Sequence, residues 1–259
     1  MSLKNALSLS NGGVISLVGA GGKTSLMFRM TQALSNGNET VLTTTTTRIM
    51  TPEKGQSPQV VLADRASLII EKSADWLKDH RHLTVAPTGG SDGKKLVGLK
   101  PGVIDELWQT GRFKWIVVEA DGARRKWIKA PAAHEPVIPA STRQVIGVIG
   151  VRAIGKPLSS RWVFRPERYA AITGLKSGAM ITTASVATSI LDPEGIMKGA
   201  PSRADRYVFL NLAGNMRLAA CGRKLAHLLC RKGVDSHLTR VVIGHAGETP
   251  AVVEYYDVS

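Results

Sequence analysis

Gly19-Ala20-Gly21-Gly22-Lys23-Thr24, with Ser25 behind it, is the stretch whose residue types and spacing most plainly suit chemistry. It follows the β-branched run Val14–Val18 and precedes apolar residues at helical spacing, Leu26, Met27, Met30 and Leu34. Strand, glycine-rich turn, Lys-Thr, helix is the order that phosphate binding needs. Glycines let successive backbone N–H groups curl inward around an oxyanion. The helix behind them adds the positive end of its dipole. Lys23 supplies a point charge for β- and γ-phosphates, and the Thr24 hydroxyl a ligand for Mg²⁺. The expected bound groups are therefore ATP or GTP with Mg²⁺. The spacing is G-x-x-G-K-T, the shorter form. The common G-x-x-x-x-G-K-[ST] pattern requires Gly at position 17, where this chain has Leu17.

A triphosphate site also needs an acid on a neighbouring strand. The apolar run from Lys114 to Val118 ends on Glu119, and Asp121-Gly122 follows. In a parallel sheet the carboxyl ends of the strands face the ligand crevice. Glu119 and Asp121 are thus expected beside Lys23 as catalytic or metal-binding groups, with their division of labour open. Thr43–Thr47 followed by Arg48 reads first as a strand, since Thr favours strands. At its end, Thr45, Thr46, Thr47 and Arg48 are candidates to orient a water, the metal or a second substrate. A stiff segment with three prolines, Ala130–Pro139, carries His134 and Glu135. They are candidates for a second-substrate contact or a proton shuttle, against an ordinary surface role. Lys129 is a weaker candidate for an anion contact.

The elements that must hold these groups alternate. Strands are expected at Val14–Val18, Thr40–Thr46, Val60–Ala63, Leu83–Ala86, Lys114–Glu119, Gln144–Val151, Arg206–Asn211 and Arg240–Ile243. Helices are expected at Thr24–Leu34, Arg65–Leu77, Pro101–Gln109, Arg165–Thr173, Thr182–Ile190 and Met216–Arg231, with a tail after the last strand. Such alternation predicts an α/β fold, a mostly parallel sheet flanked by helices. It would be P-loop NTPase-like, with the Gly-rich stretch Thr88–Gly98 as a hairpin or flap insertion. One domain spanning 1–259 is expected.

Bulk composition limits the partners. The 259 residues are 43% apolar and 21% charged, like an ordinary globular chain. Cys221 and Cys230 fit no zinc or redox spacing. Met1–Asn11 lacks the apolar core of a signal peptide, and no run of about 18 apolar residues occurs. A cytoplasmic protein with no membrane partner is expected. The net charge of +14 favours anionic partners, nucleotides first. Nucleic acid is a lesser candidate, because Arg124-Arg125-Lys126 and the cluster along Arg217–Lys232 are not interleaved with aromatics.

Five segments together resemble the YqeC-type family, described as accessory proteins of selenium-dependent hydroxylases. They are VISLVGAGGKTSLM, VLTTTTTRI, VVEADGA, KAPAAHEPVIP and RPERYAAITGL. The resemblance implies P-loop nucleotide binding and a role in maturing selenium-dependent molybdenum hydroxylases. Such a hydroxylase, or its cofactor, would be the partner. Composition and spacing say nothing about selenium. One departure stands out. Relatives tend to carry an N-K-x-D-like segment after a late strand, whereas Asn211-Leu212-Ala213-Gly214-Asn215 keeps the Asn and lacks the Lys and Asp. ATP is then as open as GTP. The short loop and the threonine-rich strand also resemble Mur-type peptide ligases, but this chain is too short for their three domains. The leading expectation is an NTPase. A small-molecule kinase or ATP-dependent ligase, and a non-enzymatic nucleotide-gated binding protein, are the alternatives.

Overall fold

A computed structural model describes residues 1–87 and 94–258. The chain opens on one helical turn, α1 (Leu3–Ala6). β1 (Gly13–Gly19) is buried at every position, as a strand covered on both faces must be. Next come α2 (Lys23–Ser35), β2 (Val41–Thr45), the short β3 (Arg48–Met50) and β4 (Val60–Leu62). α3 (Ala66–Ser73), α4 (Trp76–Asp79), β5 (His82–Ala86), β6 (Lys95–Val97) and α5 (Pro101–Gln109) follow. Then β7 (Trp115–Glu119), β8 (Ile128–Lys129), β9 (Thr142–Gly150) and β10 (Val163–Phe164) lead into α6 (Pro166–Thr173) and α7 (Thr183–Leu191). The chain closes with β11 (Asp205–Asn211), α8 (Ala219–Lys232), β12 (Leu238–Gly244) and β13 (Val252–Asp257).

Nine strands form one sheet in the order β13-β12-β11-β9-β1-β7-β2-β5-β4. Every neighbouring pair is parallel except β12 with β13. Helices cover both faces. Ile15 and Leu17 pack with Leu26, Met27, Met30 and Leu34 of α2. On the opposite face Val14 packs with Ile69 of α3 and Ile104 and Leu107 of α5. Val18, also on that face, joins Tyr169 of α6, Val186 of α7 and Leu225 of α8.

The register decides what meets at the carboxyl edge. Leu17, Glu119 and Thr45 lie in one row across β1, β7 and β2. On the other side Gly19 is level with Val148 of β9, and Asn211 with Gly150. The connection leaving β1 runs toward β2 on one side, whereas those leaving β7 and β9 run to the other. Ligands of open α/β sheets bind where connections diverge in this way, and the loop after β1 sits there.

Several details differ from expectation. Arg65–Leu77 is not one helix: α3 ends at Ser73 and the single turn α4 follows. The run from Met216 starts with a 3-10 turn, Met216–Leu218, before α8. The tail after β12 contains β13, a half-exposed edge strand whose Glu254 and Asp257 pair with Arg223 and Arg240. Of the expected Thr88–Gly98 hairpin, residues 88–93 lie outside the described residues. Lys95–Val97 pairs antiparallel with β3. The two-residue strands β8 and β10 form a further parallel pair. No helix among the described residues is long and apolar enough to cross a membrane.

Candidate functional site

The loop leaving β1 is built by backbone constraints. Gly21 (φ 85°) and Gly22 (φ 131°) adopt conformations that L-residues rarely take. Side chains would not fit either. A Cβ on Gly21 would lie 2.5 Å from Gly150 N, and one on Gly22 would lie 2.4 Å from Asn211 Nδ2. Ala20 N donates to Val148 O at 2.8 Å, which ties the loop to β9. Gly22 caps α2 with no side-chain hydrogen bond. Leu26 N donates back to Gly22 O at 2.9 Å. The earlier N–H groups of that first turn, from Lys23 to Ser25, are the orphan donors of a helix start.

Lys23 turns back over this loop and is only 4% exposed. Its Nζ donates to Gly19 O at 2.7 Å and lies 3.1 Å from Asp121 Oδ1 and 3.6 Å from Glu119 Oε1. Burial works against its charge, but Asp121 first and Glu119 second outweigh burial and raise its pKa. Glu119 accepts from the Thr24 hydroxyl at 2.7 Å. Burial raises the Glu119 pKa, with partial relief from Lys23 and from Thr24. The loop thus brings Lys23, Thr24, Glu119 and Asp121 together.

Asp121 does more than face Lys23. Its Oδ2 accepts from Gly19 N at 3.0 Å and pairs with Lys129 Nζ at 3.0 Å. Its Oδ1 has the Lys23 charge beside it but no aligned hydrogen bond. Lys129, fully buried on β8, also donates to Gly122 O at 2.7 Å and to Glu135 Oε2 at 2.8 Å. Glu135 in turn meets Arg165 Nη1 at 2.7 Å. Burial alone would raise the Glu135 pKa, but Arg165 and Lys129 overcome it and hold it at about 2. A continuous ionic chain therefore runs from Lys23 through Asp121, Lys129 and Glu135 to Arg165. Arg165 stacks over the Phe164 ring at 4.2 Å, and Arg124 faces the same ring at 5.3 Å.

Thr45 Oγ1 donates to Glu119 O at 2.8 Å, and Thr46 Oγ1 to Val137 O at 2.7 Å. These hydroxyls fasten the ends of β2 and β7 and the proline-rich segment to one another. Thr47 is half-buried beside Gly122, and Arg48 is exposed at the start of β3. His134 is exposed, while Glu135 next to it is committed to the ionic chain.

Arg165 carried no site signal in the sequence, and Asn211 entered only as the Asn of an altered base-reading segment. Asn211 Nδ2 donates to Gly21 O at 2.6 Å, and its Oδ1 accepts from Ala246 N at 3.1 Å. It lies 190 positions from Gly21 in the chain, so only the sheet order reveals the contact. A concave region of about 500 Å³, lined by Ile190, Asp192, Lys198, Arg206 and Lys232, lies at the opposite edge of the sheet. It holds none of the buried charges described above.

Comparison with known proteins covers most of the chain. The family model described as YqeC protein matches residues 15–167, a span holding every member of the ionic chain. A protein of Escherichia coli (strain K12) called "Uncharacterized protein YqeC" is 33% identical over 244 residues, covering 94% of this chain and 91% of that one.

Proposed function

The chain belongs to the YqeC family, and from that premise we propose that it binds and hydrolyses a nucleoside triphosphate with Mg²⁺ at Gly19–Ser25. The observation that carries this reading is Lys23. Its ammonium sits on a backbone carbonyl and two buried carboxylates, at the head of an uncapped helix start. Such an ammonium has an anion's place to move into. Orphan N–H groups and a positive helix end already favour phosphate there.

The donor set suits Mg²⁺. Thr24, Glu119 and Asp121 offer only oxygen, which a hard cation prefers. Asp121 Oδ1 is a buried carboxylate oxygen with no aligned hydrogen bond. Among the described residues no group of three His, Cys, Asp or Glu suits a metal by itself. That fits an ion that shares its coordination with phosphates and water. Bound there, Mg²⁺ would neutralise charge on the phosphates.

The two acids have different tasks in this reading. When Lys23 turns onto phosphate, Asp121 keeps Lys129 and the Gly19 N–H. It shapes the loop and holds Lys129. Glu119 keeps only the Thr24 hydroxyl, so it is the carboxylate free to orient water or the metal's shell. Lys23 and the loop N–H groups stabilise charge on the transferred phosphoryl group.

A thermal-shift panel tests this. Mg²⁺ with ATP or GTP should raise the melting temperature of the wild type, because a ligand of the native state adds stability. Lys23→Ala should lose the shift. An equal shift in Lys23→Ala would overturn the reading.

We propose maturation of selenium-dependent molybdenum hydroxylases as the setting, on the family resemblance alone. Faster hydrolysis in the presence of such a hydroxylase would support it, and an unchanged rate would count against it. Phosphoryl transfer to an anionic acceptor is a second reading, favoured by one observation. Arg124 (φ 46°) and Arg125 (φ 58°) are held in left-handed conformations just beyond Asp121. Strain of about 1–2 kcal/mol per residue is tolerated there, and both arginines are exposed three and four residues past Asp121. A phosphorylated product, rather than free phosphate, would select this reading.

A further inference from the structure

The chain lacks the acid that an N-K-x-D segment would place three residues after Asn211; position 214 is glycine. The structure puts a carboxylate in that space by another route. A Cβ on Gly214 would lie 2.3 Å from Glu248 Oε1 and 2.5 Å from Glu248 Oε2. The Glu248 carboxylate, carried by the loop after β12, therefore occupies the volume that a side chain at 214 would enter. Among the described residues it has no hydrogen bond or ion pair of its own.

The two loops that form this place are stitched together. Asn211 Oδ1 accepts from Ala213 N at 3.0 Å and from Ala246 N at 3.1 Å. Gly214 N donates to His245 Nδ1 at 3.0 Å. The loops also touch the phosphate loop. Asn211 Nδ2 reaches Gly21 O, and a Cβ on Gly247 would lie 3.8 Å from Ser25 Cβ. Ser25 is in the first turn of α2, beyond Lys23 and Thr24, so a nucleoside leaving the loop on that side meets Gly247 and Glu248. Met216, 55% exposed, brings its sulfur to 3.3 Å from His245 Nε2 and offers an apolar surface to a flat ring.

We propose that Glu248 reads the nucleobase and that the nucleotide is a guanine nucleotide. This rests on the phosphate-loop reading above. An ionised carboxylate only accepts hydrogen bonds, through two oxygens. The Watson–Crick edge of guanine presents two adjacent donors, N1–H and the 2-amino group, which match those oxygens one to one. Such paired, charge-assisted bonds are the strong kind. Adenine presents the N1 lone pair in the same place and has no 2-amino group. Its edge sets acceptor against carboxylate.

Isothermal titration with GTP, ATP and xanthosine triphosphate, each with Mg²⁺, tests the assignment. The wild type should bind GTP at least about tenfold more tightly than ATP, as the loss of bonds to a charged group implies. Glu248→Ala should bring the GTP-to-ATP ratio near one. The ratio is the proper readout, because removing a negative charge favours both triphosphates alike. Glu248→Gln puts an amide donor opposite C2, where xanthine carries a carbonyl, so preference should move to xanthosine triphosphate. Ligand-free melting temperatures confirm that both variants fold. Equal wild-type affinities for GTP and ATP would overturn the base assignment and leave the phosphate loop standing. A GTP preference that survives Glu248→Ala in a folded protein would also overturn it. Binding of no triphosphate at all would overturn both readings.

Discussion

Asp121 and Lys129 meet at 3.0 Å with neither side chain exposed to solvent. The pair joins Lys23 on one side and Glu135 with Arg165 on the other. With Glu119, three cations and three anions balance. Each charge is costly to bury alone and tolerable in company. The chain also fixes geometry, because it links the loop after β1, the strand β8 and the start of α6 through side chains whose partners are set.

Lys129 is the member whose loss should tell most about stability. Replacing it by Met removes the cation between Asp121 and Glu135 without removing volume. Breaking a buried pair from one side costs about 3–5 kcal/mol. Urea unfolding of Lys129→Met should therefore show a loss near that size. A loss under about 1 kcal/mol would show that the ionic chain does not hold the fold.

His82 gives a pH dependence with a definite sign. It is 7% exposed, its Nε2 lies 3.0 Å from Thr43 Oγ1, and burial lowers its pKa to about 4. The unfolded chain would titrate this group near the ordinary 6.5. Between those values the unfolded state binds the proton and the folded state does not. Stability is then lost as pH falls from about 6.5 toward 4, by an amount on the order of 3 kcal/mol. His82→Gln should flatten the urea-derived stability curve across that window. A slope unchanged by the substitution would assign the pH dependence elsewhere.

Much of the candidate site was legible because its signals are local. Gly19–Thr24 needs its glycines, its Lys-Thr and its flanking elements within a few residues, and they are adjacent in the chain. Glu119 could be placed by the rule that parallel strands end at the ligand edge. Lys129 looked like a minor contact, because its burial depends on Asp121 and on Glu135 meeting it in space. Arg165 was invisible as a partner of Glu135, since the two are 30 positions apart and join through the β8–β10 pair. β13 was hidden by its edge position, where half-exposed Glu254, Tyr255 and Tyr256 blur the apolar pattern. Glu248 sits in a loop of Gly, Thr and Pro, a setting with no periodicity to read.

Glu119 and Asp121 should separate cleanly by isosteric substitution. Glu119 has a raised pKa and one hydroxyl donor, Thr24. A neutral Gln keeps that acceptor and relieves buried charge, so Glu119→Gln should change ligand-free stability by less than about 1 kcal/mol. It should lower Mg²⁺-dependent triphosphate hydrolysis at least about a hundredfold, by loss of a group acting in the transition state. Asp121→Asn should do the reverse in kind. It weakens pairing with Lys23 and Lys129 at once, so the ligand-free protein should lose about 2 kcal/mol or more. Equal profiles for the two variants in melting and hydrolysis assays would refute the division of roles.

Asn211 holds the Gly19–Thr24 loop from the far side of β9. It is 5% exposed, donates to Gly21 O at 2.6 Å, and accepts from Ala213 N and Ala246 N. Asn211→Ala leaves two main-chain donors and one acceptor without their partner. At about 1–3 kcal/mol for a buried group left unsatisfied, with water rescuing some, the net loss should be about 2–3 kcal/mol. Asn211→Asp keeps both acceptor roles, but it sets a carboxylate oxygen against Gly21 O and adds negative charge beside the proposed triphosphate site. Its ligand-free stability should fall less than that of the Ala variant, while its triphosphate Kd should rise more. Ligand-free unfolding and triphosphate titration on the two variants check that crossing pattern. If instead the Ala variant is the worse of the two in both measurements, Asn211 acts on the loop through packing alone, and its amide donor to Gly21 is not what holds the loop in its observed shape.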